Sequence, residues 1–270
     1  MKNTFAFLFL AILTVVGCNK TETAAVETPE KLAAGKVTVK LTATDSVTVA
    51  DSSKVNDNLT AVFKSKVLVF QNLRNKALLD SIYAPVNIRL NNYSKDSISS
   101  KLNTQKKAYF EGLKESLDER MSELPQTWEQ SSSMKMFSQL HSFLTVQYKS
   151  DGYTGGAHGY YSELYRIFDL ESNRKLELED VLKVRDAKIW SRILMTHFLE
   201  NDLERGQAEM LLVKEIPLND NFYFDQQNVY FLYNQYEIAA YAAGPVLIKI
   251  PFSEIKPFLT RDFRNKLKLN

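Results

Sequence analysis

Tyr148-Lys-Ser-Asp-Gly-Tyr-Thr-Gly-Gly-Ala-His-Gly-Tyr-Tyr-Ser-Glu-Leu-Tyr165 is the stretch on which the fold turns. Four of the chain's nine glycines, Gly152, Gly155, Gly156 and Gly159, fall within eight residues; five tyrosines flank them and His158 sits inside. Paired glycines reach positive φ and let a second chain approach closely. Before the cluster, residues 134–148 alternate. Met134, Met136, Leu140, Leu144, Val146 and Tyr148 share one side, while Lys135, Gln139, His141 and Gln147 share the other. That period predicts one long strand. Residues 160–170 predict a second. Two strands around a glycine cluster make an irregular hairpin, whereas a phosphate-cradling loop needs a lysine and a helix after the glycines. The loop keeps two readings: a hairpin whose tyrosines pack on the sheet, or a ligand-contacting loop held by rigid strands.

Working outward, residues 59–70 (Val62, Val67, Val69, Phe70) predict a strand and 72–83 a short helix stopped near Pro85. Ser94 or Asp96 is placed to cap a long helix with Ile98, Leu102, Tyr109, Leu113, Leu117 and Met121 near one face, ended by Pro125. Downstream come a polar turn at 171–175 and a helix over 186–201 with Ile189, Trp190, Ile193, Leu194, His197 and Phe198 on one face. Strands follow at 221–224, 229–233, 238–240 and 246–250, then a helical cap at 253–259. Helices and strands mix without strict alternation. The expected class is α+β, a mixed or antiparallel sheet with packed helices, in two sequential α/β modules (55–150 and 151–270) that form one unit.

The N-terminus reads as an address. Lys2 precedes an apolar run from Phe5 to Val16, too short to span a bilayer stably. Val15-Val16-Gly17-Cys18 resembles the lipobox of bacterial lipoproteins, so residues 1–17 are expected to be a signal peptide and Cys18 the lipid attachment site. Residues 18–54 hold no aromatic and read as a flexible tether, with one short strand conceivable at 37–41. The expected place is the cell envelope, at an outer-membrane or periplasmic face, with the membrane reached through lipid.

The 270 residues are 44% apolar, 24% charged and 11% aromatic, with a formal net charge of +2, which gives no argument for nucleic acid. The single cysteine excludes an intramolecular disulfide framework. His141, His158 and His197 stand 17 and 39 residues apart, matching no metal-ligand spacing on one element. Glu177, Glu179 and Asp180 read as charges at a helix start. No Gly-x-Ser-x-Gly occurs. The expectation is therefore no cofactor, no metal and no catalytic residue.

Tyr153-Thr-Gly-Gly-Ala-His-Gly159, Phe168-Asp-Leu170, Leu176-x-Leu-x-Asp-Val-Leu182 and Tyr236-Glu-Ile-Ala-Ala-Tyr-Ala-Ala-Gly-Pro245, followed by a closing strand, occur in that order. Together they resemble the RsiV-type C-terminal domain, domain of unknown function 3298, over about residues 150–260. That family includes the extracellular part of a lysozyme-sensing anti-sigma factor and the non-catalytic region of a peptidoglycan deacetylase. The resemblance implies an envelope recognition module with lysozyme or peptidoglycan as partner, and binding without catalysis. Candidate contacts are Tyr153, Gly155, Gly156, His158, Tyr160 and Tyr236. Two alternatives remain: a cell-wall hydrolase using His158 with a carboxylate such as Glu237 or Asp169, and a structural scaffold.

Overall fold

The computed structural model describes residues 45–116, 124–202 and 206–269. The expected signal peptide at 1–17, Cys18, the strand at 37–41 and the tether up to residue 44 lie outside them. The last ten residues of the expected tether need correction, because Asp45–Lys54 is a strand, β1. It pairs antiparallel along its whole length with β2 (Leu59–Val69), with Val47 opposite Val67 and Val49 opposite Ser65. Val47 and Val49 are buried. Two alternating valines suffice for a strand once a neighbouring edge supplies the hydrogen bonds, so the missing aromatics did not matter.

Between β2 and β3 (Gln126–Leu140) the chain forms α1 (Lys76–Tyr83) and α2 (Lys95–Ser116). This crossover explains why β2 and β3 run parallel when every other neighbouring pair is antiparallel. Asn75 caps α1 through Leu78 N–H, and Ser94 accepts from Ser97 N–H at the start of α2. Lys95–Asp45 and Lys106–Asp51 ion pairs tie α2 to β1. The larger sheet has the order β1-β2-β3-β4-β5-β6, with β4 at Phe143–Tyr153, β5 at Tyr160–Asp169 and β6 at Arg174–Lys175.

The one long strand expected over 134–148 is two strands, and His141, at φ 53°, lies in the reversal between them. Leu140 pairs with Phe143, so a two-residue turn reverses the chain and swaps the parity of the faces. A bulge between Met136 and Ser138 swaps it back. Met134, Met136, Leu144, Val146 and Tyr148 therefore do share one face, as in a continuous strand, while Leu140 turns to the opposite core. The alternation was real, but a bulge and a turn carried it across a reversal. The boundary drawn at 150/151 falls inside β4.

Beyond β6, α3 (Leu178–Val181) opens on a capping box of Glu177 and Asp180, and α4 (Ala187–Asn201) is capped by Asp186. A second antiparallel sheet follows, β7 (Phe222–Phe224), β8 (Asn228–Tyr233) and β9 (Val246–Pro251). The strand expected at 238–240 is only a bridge between Leu211 and Ala239. The expected cap at 253–259 resolves into α5 (Phe252–Ile255) and a 3-10 turn, and α6 (Arg261–Leu267) adds a helix the sequence reading lacked. Among the described residues two large apolar clusters result, beside a small one of Tyr165, Tyr223 and Leu232. One joins β2, β3 and the even face of β4 to α1 and α2; the other joins Phe143 and Ile167 to the smaller sheet, α4 and α6. The fold is α+β.

Candidate functional site

The glycine cluster closes the β4–β5 hairpin, whose last pair is Gly152 with Tyr160. A Cβ at Gly152 would stand 2.2 Å from the Glu129 carbonyl oxygen, and one at Gly159 would stand 2.6 Å from the Gly152 carbonyl oxygen. These two positions need glycine because backbone passes over backbone. Gly155 and Gly156 need it for another reason: their φ angles are +90° and +95°. Gly155 lies over the Trp128 ring, while Gly156 faces open space. The Tyr153 hydroxyl donates to the Gly156 carbonyl at 2.9 Å and braces the loop.

His158 leaves this loop and meets a segment 78 residues away. Its Nδ1 lies 2.7 Å from the Gly159 carbonyl and its Nε2 3.1 Å from the Tyr236 hydroxyl. A carbonyl only accepts, so Nδ1 carries the proton, and in the neutral ring Nε2 accepts from the Tyr236 O–H. The imidazole stacks on Tyr241 at 4.0 Å between ring centroids and 22° between planes. Tyr161 packs against Tyr241 at 5.6 Å. Tyr236 itself has φ +63° and is 55% exposed.

Asn234 fixes the second segment to β5. It accepts from Glu163 N–H at 2.7 Å and donates to the Glu163 carbonyl at 3.1 Å. The glycine loop and the turn after β8 thus form one aromatic surface of His158, Tyr161, Tyr236 and Tyr241. Burial, and then the neighbouring Tyr241 and Tyr236, holds the Tyr161 phenol above its ordinary range. Among the described residues the buried Tyr161 hydroxyl has no hydrogen-bond partner.

Of the sequence candidates, Tyr153, Gly155, Gly156, His158 and Tyr236 are brought together here. Tyr160 is not. It neighbours Tyr161 in β5, so the two point to opposite sheet faces, and Tyr160 aligns with Gly152 and Gln130 toward α2. Tyr241 and Tyr161 were missed as contacts. Tyr241 sits in the quoted Tyr236–Pro245 motif, five residues after Tyr236, which was the available signal. Trp128, under Gly155, had none beyond being aromatic near a strand start.

No carboxylate hydrogen-bonds His158 among the described residues. Asp169 occupies the far end of β5, roughly 30 Å away at strand rise, and is bound by Lys266 and by Ser172 at 2.8 Å. The expected alternative pairing of His158 with Asp169 is therefore corrected. The Glu237 carboxylate accepts from Asn234 N–H at 2.9 Å. The other histidines stand elsewhere: His141 in the β3–β4 turn, and His197 on α4 between Glu200 and Glu254, at 3.3 and 3.2 Å. Among the described residues no group of three histidine, cysteine or acidic side chains is placed to hold a metal ion, and no helix is long and apolar enough to cross a membrane.

Residues 166–253 match the family described as Protein of unknown function (DUF3298). The match contains Tyr236 and Tyr241 and begins after the glycine loop, so it is narrower than the expected stretch at both ends. No curated protein matches the chain. Among solved structures, the fold is similar to a member of the DUF3298 family from Bacteroides fragilis, at 21% identity with a TM-score of 0.67, covering 84% of this chain and 98% of that one. It is also similar to a DUF3298 family protein from Pseudomonas aeruginosa, at 16% identity with a TM-score of 0.55, covering 84% and 97%. At these identities the likeness is one of fold, and the similarity to the DUF3298 family model is confined to residues 166–253.

Proposed function

We propose that the chain is a lipid-anchored recognition protein of the cell envelope. Its aromatic surface at His158, Tyr236 and Tyr241 engages a lysozyme-like protein or a peptidoglycan fragment and does no chemistry on it. The observation that supports this most is the joining of His158 to Tyr236 and Tyr241 across 78 residues of sequence. Such a contact pre-organises exposed rings with polar tips, the kind of group that anchors protein partners and sugar faces at little entropic cost. Catalysis by the same imidazole would need an orienting acid or base. Here its two nitrogens are taken by a backbone carbonyl and a tyrosine. The RsiV-type resemblance supplies the two candidate partners, and the lipobox-like Val15–Cys18 supplies the anchor.

Calorimetric titration of residues 19–270 with lysozyme, and separately with muropeptides, tests the reading. Saturable binding to either, lost in Tyr236→Ala, is the expected result. Failure of both partners to bind, or binding indifferent to Tyr236, overturns it. The anchor is tested by labelling cells with a fatty-acid analogue: wild-type chain takes up label and Cys18→Ser does not.

A further inference from the structure

A cavity of about 580 Å³ lies between α2 and the larger sheet, away from the aromatic surface. Its origin is a row of serines. The registers of four neighbouring strands place Ser65, Ser132, Ser150 and Ser162 side by side. Flanking rows carry Phe63, Gln130 and Tyr160 on one side and Met134, Tyr148 and Leu164 on the other. A sheet row beneath a helix is ordinarily bulky and apolar, and four small hydroxyls there take volume out of the packing.

Above the row, α2 offers Ala108, which is too short to fill the space, with Gln105 and Tyr109 beside it. The Gln105 amide donates to the Val86 and Asn87 carbonyls at 3.0 and 3.1 Å, fixing the turn at 84–87 as a wall. Ser132 donates to the buried Ser65 at 2.9 Å. Among the described residues the buried Tyr109 hydroxyl has no hydrogen-bond partner, and no protein group hydrogen-bonds the side chains of Gln130, Ser150 or Ser162.

The size is that of small-molecule sites, about 300–1,000 Å³. Its chemistry is specific: hydroxyls and amides line it together with the rings of Phe63, Tyr109 and Tyr148. Among the described residues the one charged residue lining it, Lys149, is paired with Glu163 at 2.9 Å. An anion finds no free cation there, and an alkyl chain leaves the serine hydroxyls desolvated without partners. A ring with apolar faces and hydroxyl edges satisfies both kinds of lining. We propose that this cavity is a saccharide site, taking a neutral sugar of one or two rings. It is independent of the aromatic surface and of the function proposed for it.

The test is calorimetry on residues 19–270 with N,N′-diacetylchitobiose and maltose as neutral probes and glucose 6-phosphate as the charged control. At least one neutral disaccharide is expected to bind at a single site, and the phosphate sugar is expected not to. Ala108→Trp, an exposed position on α2 at the cavity mouth, weakens binding about tenfold or more with the melting temperature unchanged. Ser162→Ala, which removes one floor hydroxyl without adding bulk, weakens it severalfold. Absence of binding by both disaccharides overturns the proposal, as does affinity unchanged in both variants. Tyr236→Ala leaves this binding intact; if it abolishes sugar binding, the sugar sits on the aromatic surface and the cavity proposal fails while the function proposed above stands.

Discussion

β4 and β5 are covered on both faces, and the two faces are packed in different ways. On one, Phe143 and Ile167 meet Phe222, Phe224, Phe231 and Phe263 of the smaller sheet and α6, with Trp190 of α4 in the same cluster. Phe143 crosses Phe224 at 5.4 Å, and Phe224 crosses Phe263 edge-on at 5.1 Å. On the other face, Leu144, Val146 and Phe168 pack with α1 and α2, but beyond the Tyr148–Leu164 pair the serine row interrupts the core. One pair of strands thus supports a filled, largely aromatic core and a core that stops short of its helix. The first arrangement gains dispersion contacts and a single well-ordered packing; the second gives these up for a hydroxylated space.

Trp190→Ala strikes the filled side hardest. The indole is fully buried and its N–H donates to the Val184 carbonyl at 2.8 Å. Truncation is expected to cost about 3–5 kcal/mol in urea unfolding. Ser162→Val, which adds apolar volume to the open side, is expected to stay within about 1 kcal/mol of wild type. Equal losses would mean that the two faces are packed alike after all.

Lys266→Met comes next. Asp169 is 2% exposed at the end of β5, and Lys266 of α6 is its ionic partner. Burial pushes the Asp169 carboxyl upward, but hydrogen bonds from Lys266, Ser172 and the Glu171 N–H outweigh it and hold the group below its ordinary range. Removing the lysine leaves a buried carboxylate short of its cation, a loss of about 2 kcal/mol once the lysine's partial exposure is discounted. The sign with pH follows from the lowered pKa. The contribution is complete above the unfolded carboxyl value near 3.9 and is lost as pH falls through the folded value beneath it. Wild type and Lys266→Met melting temperatures should therefore converge below about pH 4 and differ most at neutral pH. A constant gap from pH 7 to pH 3 would remove Asp169 from the account.

The glycines of the loop sharpen the contrast between close approach and backbone conformation. Gly152→Ala drives a methyl into the Glu129 carbonyl at the β3–β4 pairing and is expected to cost about 2–3 kcal/mol. Gly156→Ala meets nothing and suffers only from φ +95°, about 1 kcal/mol. Thermal melts rank the two. A reversed order would show that the loop, not the strand crossing, carries the constraint.

How much of this was legible in the sequence depends on the range of the interaction. The strands 59–70 and 160–170, the helix 186–201 and the capping role of Glu177 and Asp180 rest on local period and local caps, and the structure has them within a few residues. What failed depended on partners. The parity of residues 134–148 survived a bulge and a turn that only the register reveals. β1 became a strand because β2 offered an edge, and Asn234 binds Glu163 across 71 residues. The serine row was invisible for the same reason: Ser65, Ser132, Ser150 and Ser162 are unremarkable until three registers align them. His158, Gly155 and Gly156 could be singled out from composition alone, whereas Tyr241 required knowing that the hairpin tip reaches the turn after β8.

Tyr236→Ala should have the smallest effect on stability and the greatest on recognition. The ring is 55% exposed, and its hydroxyl contributes one hydrogen bond to the exposed His158. Removing it is expected to change unfolding free energy by about 0.5 kcal/mol or less. The backbone at Tyr236 sits at φ +63°, which alanine tolerates no better than tyrosine, so the swap leaves that strain unchanged. His158 keeps its stack on Tyr241 and its bond to the Gly159 carbonyl, so the loop stays placed while the surface loses its most exposed tyrosine. A variant that melts with wild type yet no longer binds lysozyme or muropeptide separates recognition from packing at one residue. A variant that melts early assigns Tyr236 to the scaffold, and leaves the aromatic surface as the way the hairpin tip is fastened to β8.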